Sequence, residues 1–308
     1  MAHLIDIKNL TKNEVLKILD HSASFMKHNS SQGLVYKPSE TLKNKIIFTL
    51  FYEPSTRTST SFETAAYHLG AKVVNINVAN SSVKKGESLR DTTATITAMQ
   101  PDCIIVRHQE EGTAQFMADI CSDKTAVINA GDGKNAHPTQ ALLDLYTIRQ
   151  FKGDITQQKI VIIGDILHSR VAKSLICGLQ ILGCNNINLI APHILLPNDP
   201  TYLGKGVQIF DKLEPGIKDA DVVVCLRLQK ERMQHSMILD DNDFFNKYGV
   251  TFDILKHAKP DVIVMHPGPI NRNVEISSEV ADSKHSVILN QVTNGVAVRM
   301  AVLDLLLR

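Results

Sequence analysis

The sequence predicts an α/β chain: two doubly wound parallel-sheet domains joined by helices, with an active site in the cleft. Three observations predict it. The 308 residues correspond to about two domains at roughly 150 residues each. Short apolar runs alternate with helical segments in two successive series, and such alternation requires crossover connections and a mostly parallel sheet. One helical segment with no Gly/Ser linker joins the series, which argues for a tight junction. The apolar share of 44% is enough to bury two modest cores and excludes a disordered chain.

Thr11, with Glu14 three residues on, makes a capping box ahead of Val15, Ile18, Leu19 and Phe25, so a helix opens the chain. Lys45 to Tyr52, Lys72 to Val78, Cys103 to Arg107 and Thr125 to Ile128 read as strands. Helices starting near Ser55, Ser88 and Thr113 separate them. Pro138 to Gln150 carries Leu142, Leu145, Tyr146 and Ile148 at helical spacing, with proline in its favoured first turn, and is the linking helix. Lys159 to Ile163, Asn186 to Ile190, Val207 to Phe210, Asp221 to Leu226 and Asp261 to Met265 form the second strand series. Helices at Ser169 to Leu182 and around Phe244 and Phe252 lie between them. The last segment, Gln291 to Arg308, is helical by pattern with Gly295 as its weak point, and must pack on one of the two sheets.

Composition excludes several functions. Lys plus Arg (33) against Asp plus Glu (32) leaves a net charge of +1 without a like-charge block, so polyanion binding by bulk charge is not expected. No run approaches a membrane span and the start lacks a signal peptide's pattern, so a soluble, cytoplasmic chain without nucleic-acid or membrane partners is expected. Cys103, Cys121, Cys177, Cys184 and Cys225 are odd in number and scattered, and read as buried small hydrophobes. The lack of Trp and the 5% aromatic share weaken any stacking role. No G-x-G-x-x-G or G-x-x-x-x-G-K-[ST] is present and no His/carboxylate set is closely spaced, so no NAD, ATP or metal cofactor is expected.

The informative stretch is Phe51-Tyr-Glu-Pro-Ser-Thr-Arg-Thr-Ser-Thr-Ser-Phe-Glu63, where a strand hands over to a helix. Free N–H groups of a first helical turn, short hydroxyls and a guanidinium together suit a phosphate. The alternative is an ordinary Ser/Thr-rich cap. Capping uses only one or two hydroxyls, and Ser and Thr are mediocre inside a helix, so local stability does not explain the rest.

Ser55-Thr-Arg-Thr58 after a strand resembles the carbamoyl phosphate signature of the aspartate and ornithine carbamoyltransferases. Further motifs follow in order: Ala79-Asn-Ser-Ser-Val-Lys-Lys-Gly-Glu-Ser-Leu-Arg-Asp91, Val106-Arg-His108, His137-Pro-Thr-Gln140, Gly164-Asp165 through Arg170, Arg227-Leu-Gln229 and His266-Pro-Gly-Pro-Ile-Asn-Arg272. They span nearly the whole chain and look like the aspartate branch. The His-Cys-Leu-Pro and Ser-Met-Gly elements typical of ornithine enzymes are missing. Aspartate brings two carboxylates and suits Arg170, Arg227 and Lys85, whereas guanidinium groups would repel ornithine's side-chain cation.

The resemblance implies transfer of the carbamoyl group of carbamoyl phosphate to L-aspartate, giving N-carbamoyl-L-aspartate and phosphate for pyrimidine synthesis. It implies a carbamoyl phosphate domain, residues 1–150, completed by helix 290–308, and an aspartate domain, residues 151–289. Ser55, Thr56, Arg57 and Thr58 would bind phosphate, and Thr58, Arg107 and His137 the carbamoyl oxygen, with His137 neutral because nearby Arg groups disfavour the imidazolium. Gln140 and the carbonyls of Pro267 and Gly268, in a loop fixed by Pro269, would hold the carbamoyl NH2. Arg170, Arg227 and Gln229 would take the aspartate carboxylates. Ser82, or its neighbour Ser81, and Lys85 would reach into a neighbouring subunit's site, implying a homotrimer with shared sites. A regulatory chain or a dihydroorotase as partner stays open. The competing readings are an ornithine or other amino-acid carbamoyltransferase, and a non-catalytic scaffold for a dihydroorotase, which would need none of Arg57, Thr58, Lys85, Arg107 and His137.

Overall fold

The computed structural model describes residues 2–29, 33–78, 86–121, 123–197, 203–233 and 240–308. The chain divides into two compact units, Met1–Tyr146 with Val292–Arg308, and Thr147–Gln291. Both crossings between units fall inside helices, α5 (Pro138–Lys152) and α11 (Ile288–Leu307).

In the first unit the capping box forms: Thr11 accepts from the Glu14 N–H, the Glu14 carboxylate accepts from the Thr11 N–H, and α1 (Lys12–Ser24) follows. A short antiparallel pair comes next, β1 (Met26–Asn29) with β2 (Gly33–Tyr36). Then β3 (Ile46–Phe51), α2 (Thr56–His68), β4 (Lys72–Ile76), α3 (Leu89–Ala98), β5 (Cys103–His108), α4 (Thr113–Ile120) and β6 (Ala126–Asp132) alternate as expected. Their four strands form one parallel sheet in the order β4-β3-β5-β6. The chain therefore winds outward from β3 to β4, returns, and winds the other way through β5, which places a topological switch point between β3 and β5. Phe48, Leu50, Ile104, Val106 and Val127 pack with Met117 and Ala114 of α4 in one core cluster.

In the second unit β7 (Ile160–Ile163), α6 (Arg170–Leu182), β8 (Ile187–Ile190), β9 (Val207–Phe210), α7 (Leu213–Ile217), β10 (Val222–Cys225), α8 (Asp241–Tyr248), α9 (Phe252–Leu255), β11 (Ile263–Met265) and α10 (Ser278–Ala281) follow. The five-stranded sheet is parallel throughout, in the order β11-β10-β7-β8-β9, with its switch point between β7 and β10. β7, β8 and β10 are buried at every residue, as expected for strands covered on both faces.

Gly164, just after β7, has φ +122°, and a Cβ there would lie 2.2 Å from the Leu226 carbonyl oxygen at the end of β10. Only glycine lets the two strand ends approach so closely. α5 is buried on all sides from Pro138 to Ile148, and α11 from Asn294 to Asp304. Among the described residues no helix is long and apolar enough to cross a membrane.

Candidate active site

The sequence-predicted groups of the first unit lie at or after the carboxyl ends of β3, β5 and β6. Ser55 is the N-cap of α2, with φ −159°, yet its hydroxyl makes no capping bond, and no acid lies in the first turn. The Ser59 and Ser61 hydroxyls donate back to the Ser55 and Thr58 carbonyls at 2.8 and 3.1 Å. Those of Ser55, Thr56 and Thr58 make no hydrogen bond among the described residues. The helix thus presents three uncommitted hydroxyls beside its first-turn N–H groups and the Arg57 guanidinium, a donor set for a phosphate dianion.

Arg107 is on the neighbouring strand, where the β5–β6 register shifts between Val106 and His108. Such irregularities re-aim side chains. Its Nε lies 3.1 Å from Glu53 Oε2, and its Nη1 donates to the Ala130 carbonyl at 3.3 Å. His108 next to it accepts the Glu110 N–H on Nδ1 at 2.9 Å. Burial pushes the His108 pKa down, against the pull of Glu110 and Glu53.

His137, 4% exposed, opens α5. The turn carrying it is built on buried Asp132. Its Oδ1 accepts the Asn129 amide and the Ala136 N–H, and its Oδ2 accepts the Gly112 N–H and the Asn135 amide, all within 2.9–3.1 Å. Gln140, one turn on and also buried, donates Nε2 to Asp144 Oδ1 at 3.0 Å.

The second unit gathers its predicted groups at the carboxyl ends of β7, β10 and β11. Arg170, 4% exposed, is the first residue of α6, behind Ser169, whose hydroxyl caps Ala172 N–H. A buried cation at a helix start opposes the dipole and suits a site that receives an anion. Arg227 and Gln229 follow β10. Arg227 is paired with Glu231 and reaches the Gln229 Oε1 at 3.5 Å. Burial raises the Glu231 pKa, but Arg227, donating to it, and Arg232 nearby outweigh that and hold it below its ordinary value. Asp165, fully buried, accepts the Gln229 N–H on Oδ2 at 3.0 Å and the His168 N–H on Oδ1 at 3.1 Å, tying the β7 and β10 loops together.

After β11, His266 accepts the Gly268 N–H on Nδ1 at 2.8 Å, so its ring proton sits on Nε2, which donates to buried Glu275 at 2.9 Å. Glu275 also accepts the Asn271 N–H at 2.6 Å. The loop carrying Pro267, Gly268 and the cis-linked Pro269 is thereby held at both ends. Ser82 and Lys85 lie outside the described residues.

Sequence reasoning missed the residues that brace these groups: Asp132 and Asp144 in the first unit, and Asp165, Glu231 and Glu275 in the second. A lone acid in a sequence reads as surface, and the available signal was only proximity to a motif, as for Asp165 beside Gly164.

Two family models match the chain: the aspartate/ornithine carbamoyltransferase carbamoyl-P binding domain over residues 2–150, and the Asp/Orn binding domain over residues 156–306, which extends into the helix that closes the first unit. The chain belongs to the aspartate/ornithine carbamoyltransferase family, and its two parallel-sheet α/β units have that family's fold. Aspartate transcarbamoylase from Trypanosoma cruzi, in complex with carbamoyl phosphate and aspartate, is 28% identical with a TM-score of 0.85, over 99% of this chain and 97% of that one. Ornithine carbamoyltransferase from Pyrococcus furiosus is 29% identical with a TM-score of 0.86, over 99% and 96%. The enzyme from Thermus thermophilus, an ornithine carbamoyltransferase at 24% identity and TM-score 0.86 over 100% and 99%, shares the fold.

Proposed function

We propose that this chain transfers the carbamoyl group of carbamoyl phosphate to L-aspartate, giving N-carbamoyl-L-aspartate and phosphate in de novo pyrimidine synthesis. The observation that carries the choice of aspartate is the cationic set after β7 and β10: Arg170 buried at a helix start, and Arg227 beside Gln229. Two carboxylates need such donors, and a second ammonium would be repelled by them. Similarity alone does not choose, because aspartate and ornithine enzymes match comparably.

In this reading Ser55, Thr56, Arg57 and Thr58 hold the phosphate, and Thr58, Arg107 and His137 donate to the carbamoyl oxygen. Gln140 and the carbonyls of Pro267 and Gly268 accept from the carbamoyl NH2. The free amine of aspartate attacks the carbonyl carbon, charge builds on the carbonyl oxygen, and the bond to the phosphate oxygen breaks as the amine passes its proton to the departing phosphate. The donors stabilise charge that develops during the reaction, so no protein nucleophile or cofactor is needed. Residues 1–150 with 290–308 form the carbamoyl phosphate domain and 151–289 the aspartate domain. Ser82 and Lys85 complete a neighbour's site in a homotrimer, and the setting is cytoplasmic.

The test is product formation from carbamoyl phosphate with aspartate or with ornithine, on the purified chain and on its Arg57→Ala variant. Carbamoyl-aspartate made by the parent and lost by about 100-fold or more in the variant is expected. Ornithine turnover would replace the reading with the other branch, and silence with both would leave the scaffold.

A further inference from the structure

Gln140 and Asp144 are one turn apart on α5, and neither faces solvent: Gln140 is 8% and Asp144 0% exposed. An exposed Gln–Asp pair at this spacing is a minor helix stabiliser. Two buried polar groups are different, because each is costly to desolvate and must be used. The bond from Gln140 Nε2 to Asp144 Oδ1, 3.0 Å long, fixes more than a side-chain position. An ionised carboxylate only accepts, so it selects the NH2 end of the Gln140 amide and leaves the carbonyl oxygen, Oε1, as the end offered to a ligand. A carbamoyl NH2 carries donors and needs that acceptor. The flipped amide would set donor against donor.

A buried carboxylate stays an acceptor only if something opposes its neutralisation. Arg299 of α11 is also buried, with its guanidinium 4.9 Å over the Phe62 ring, Nη1 donating to the Gly295 carbonyl at 3.1 Å and Nη2 to Thr139 Oγ1 at 3.5 Å. Burial pushes Arg299 down to about 10, with the charge of Asp144 holding it up, so the guanidinium keeps its proton at neutral pH. Arg299 is thus a charged partner for Asp144.

We propose that Asp144 is a positioning residue for carbamoyl transfer, holding the Gln140 amide with its acceptor toward the carbamoyl NH2 while Arg299 supplies the buried counter-charge. The inference rests on the carbamoyl-transfer reading above.

The test is a cycle of Gln140→Ala, Asp144→Asn and the double variant, reading the KM for carbamoyl phosphate and for aspartate in parallel with thermal melting. Each single variant should raise the carbamoyl phosphate KM by about tenfold, the worth of one hydrogen bond to an otherwise unpaired group, and leave the aspartate KM within about twofold. The double variant should be no worse than Gln140→Ala, because Asp144 acts through Gln140. Multiplying effects in the double variant, or a lowered Tm with an unchanged carbamoyl phosphate KM in Asp144→Asn, overturns the proposal. If Asp144→Asn strands Arg299 and does not fold, both buried charges are removed together in Asp144→Asn/Arg299→Met. Adding Gln140→Ala to that pair should then change the carbamoyl phosphate KM by less than about twofold, and a further rise of about tenfold refutes the proposal. A parent that forms no carbamoyl product overturns the functional reading and this inference together, whereas an active parent with silent Asp144 variants overturns the inference alone.

Discussion

Arg227 and Glu231, four residues apart in the loop after β10, are joined at two points: Arg227 Nη1 donates to Glu231 Oε2 at 3.1 Å, and Nη2 donates to Oε1. The carboxylate orients the guanidinium that the proposed function assigns to aspartate, while occupying part of its donor fork. Half of the Glu231 side chain is exposed, so solvent screens the pair and the orienting effect is modest. Glu231→Gln should raise the KM for aspartate by about two- to fivefold, the range of an exposed ion pair, with little change in the KM for carbamoyl phosphate. Initial rates against each substrate check this.

Arg57 stands in the first turn of α2 among hydroxyls that do not cap the helix. A lysine there keeps the charge but loses the planar fork that matches two phosphate oxygens. Arg57→Lys should therefore lower kcat/KM for carbamoyl phosphate by about tenfold or more while leaving Tm nearly unchanged. A lysine variant as active as the parent would show that charge alone suffices.

Gly164 sits where the ends of β7 and β10 nearly touch. Gly164→Ala combines a left-handed backbone with a Cβ that meets a carbonyl oxygen, and should cost about 3 kcal/mol or more. Because the displaced strand end leads into Arg227, the variant should also weaken aspartate use more than carbamoyl phosphate use. Calorimetry gives the first effect and steady-state kinetics the second.

His108 is held below its ordinary pKa by burial. Its folded form thus binds a proton less readily than the unfolded chain, so its contribution to stability is full above the unfolded value of about 6.5 and is lost as pH falls below it. Between pH 7 and 5 the Tm should fall less steeply in His108→Asn, which keeps an acceptor for the Glu110 N–H, than in the parent. Parallel slopes would rule His108 out as a source of the acid sensitivity.

Cys103 and Cys225 are fully buried in strands, and burial pushes both thiols well up from their ordinary value. Neither should react with iodoacetamide at pH 8 in the native chain, and both should react once guanidinium unfolds it, as read by mass spectrometry.

Much of the fold was legible in the sequence: all nine apolar runs form strands in the two parallel sheets, and β7, β8, β10 and β11, buried at every residue, are the most continuously apolar. The pair β1–β2 was not legible: β1 is Met26-Lys-His-Asn29, with a single apolar residue, so it offers no apolar run to read. Short helices α7 and α10 hold five and four residues, too few for a helical period to register. Gly295 shows a subtler limit. In sequence it weakens a helix, while in the structure a Cβ would sit 2.8 Å from Arg299 Nη1 and 3.2 Å from Leu143 Cδ2, so the missing side chain is what lets α11 seat its buried arginine.

At the proposed site the candidate anion donors stood out in the sequence because their residue types are unusual for their location. Six hydroxyls and an arginine at a strand-to-helix junction exceed what a cap requires. The braces were not legible, because Asp132, Asp144 and Asp165 take their meaning from burial and from N–H groups and amides that tertiary structure brings to them. Helix α5 illustrates both cases: its leucines announced the helix, and nothing in their spacing announced that Gln140 and Asp144 would be buried beside them.

The most direct test of the account is a competition in one vessel. Isotope-labelled carbamoyl phosphate is given to the purified chain with equal concentrations of L-aspartate and L-ornithine, and the labelled products are separated and counted. The account predicts label in carbamoyl-aspartate, in excess over carbamoyl-ornithine by about 100-fold or more, because the pocket's guanidinium groups attract one side chain and repel the other. Label mainly in carbamoyl-ornithine would contradict it.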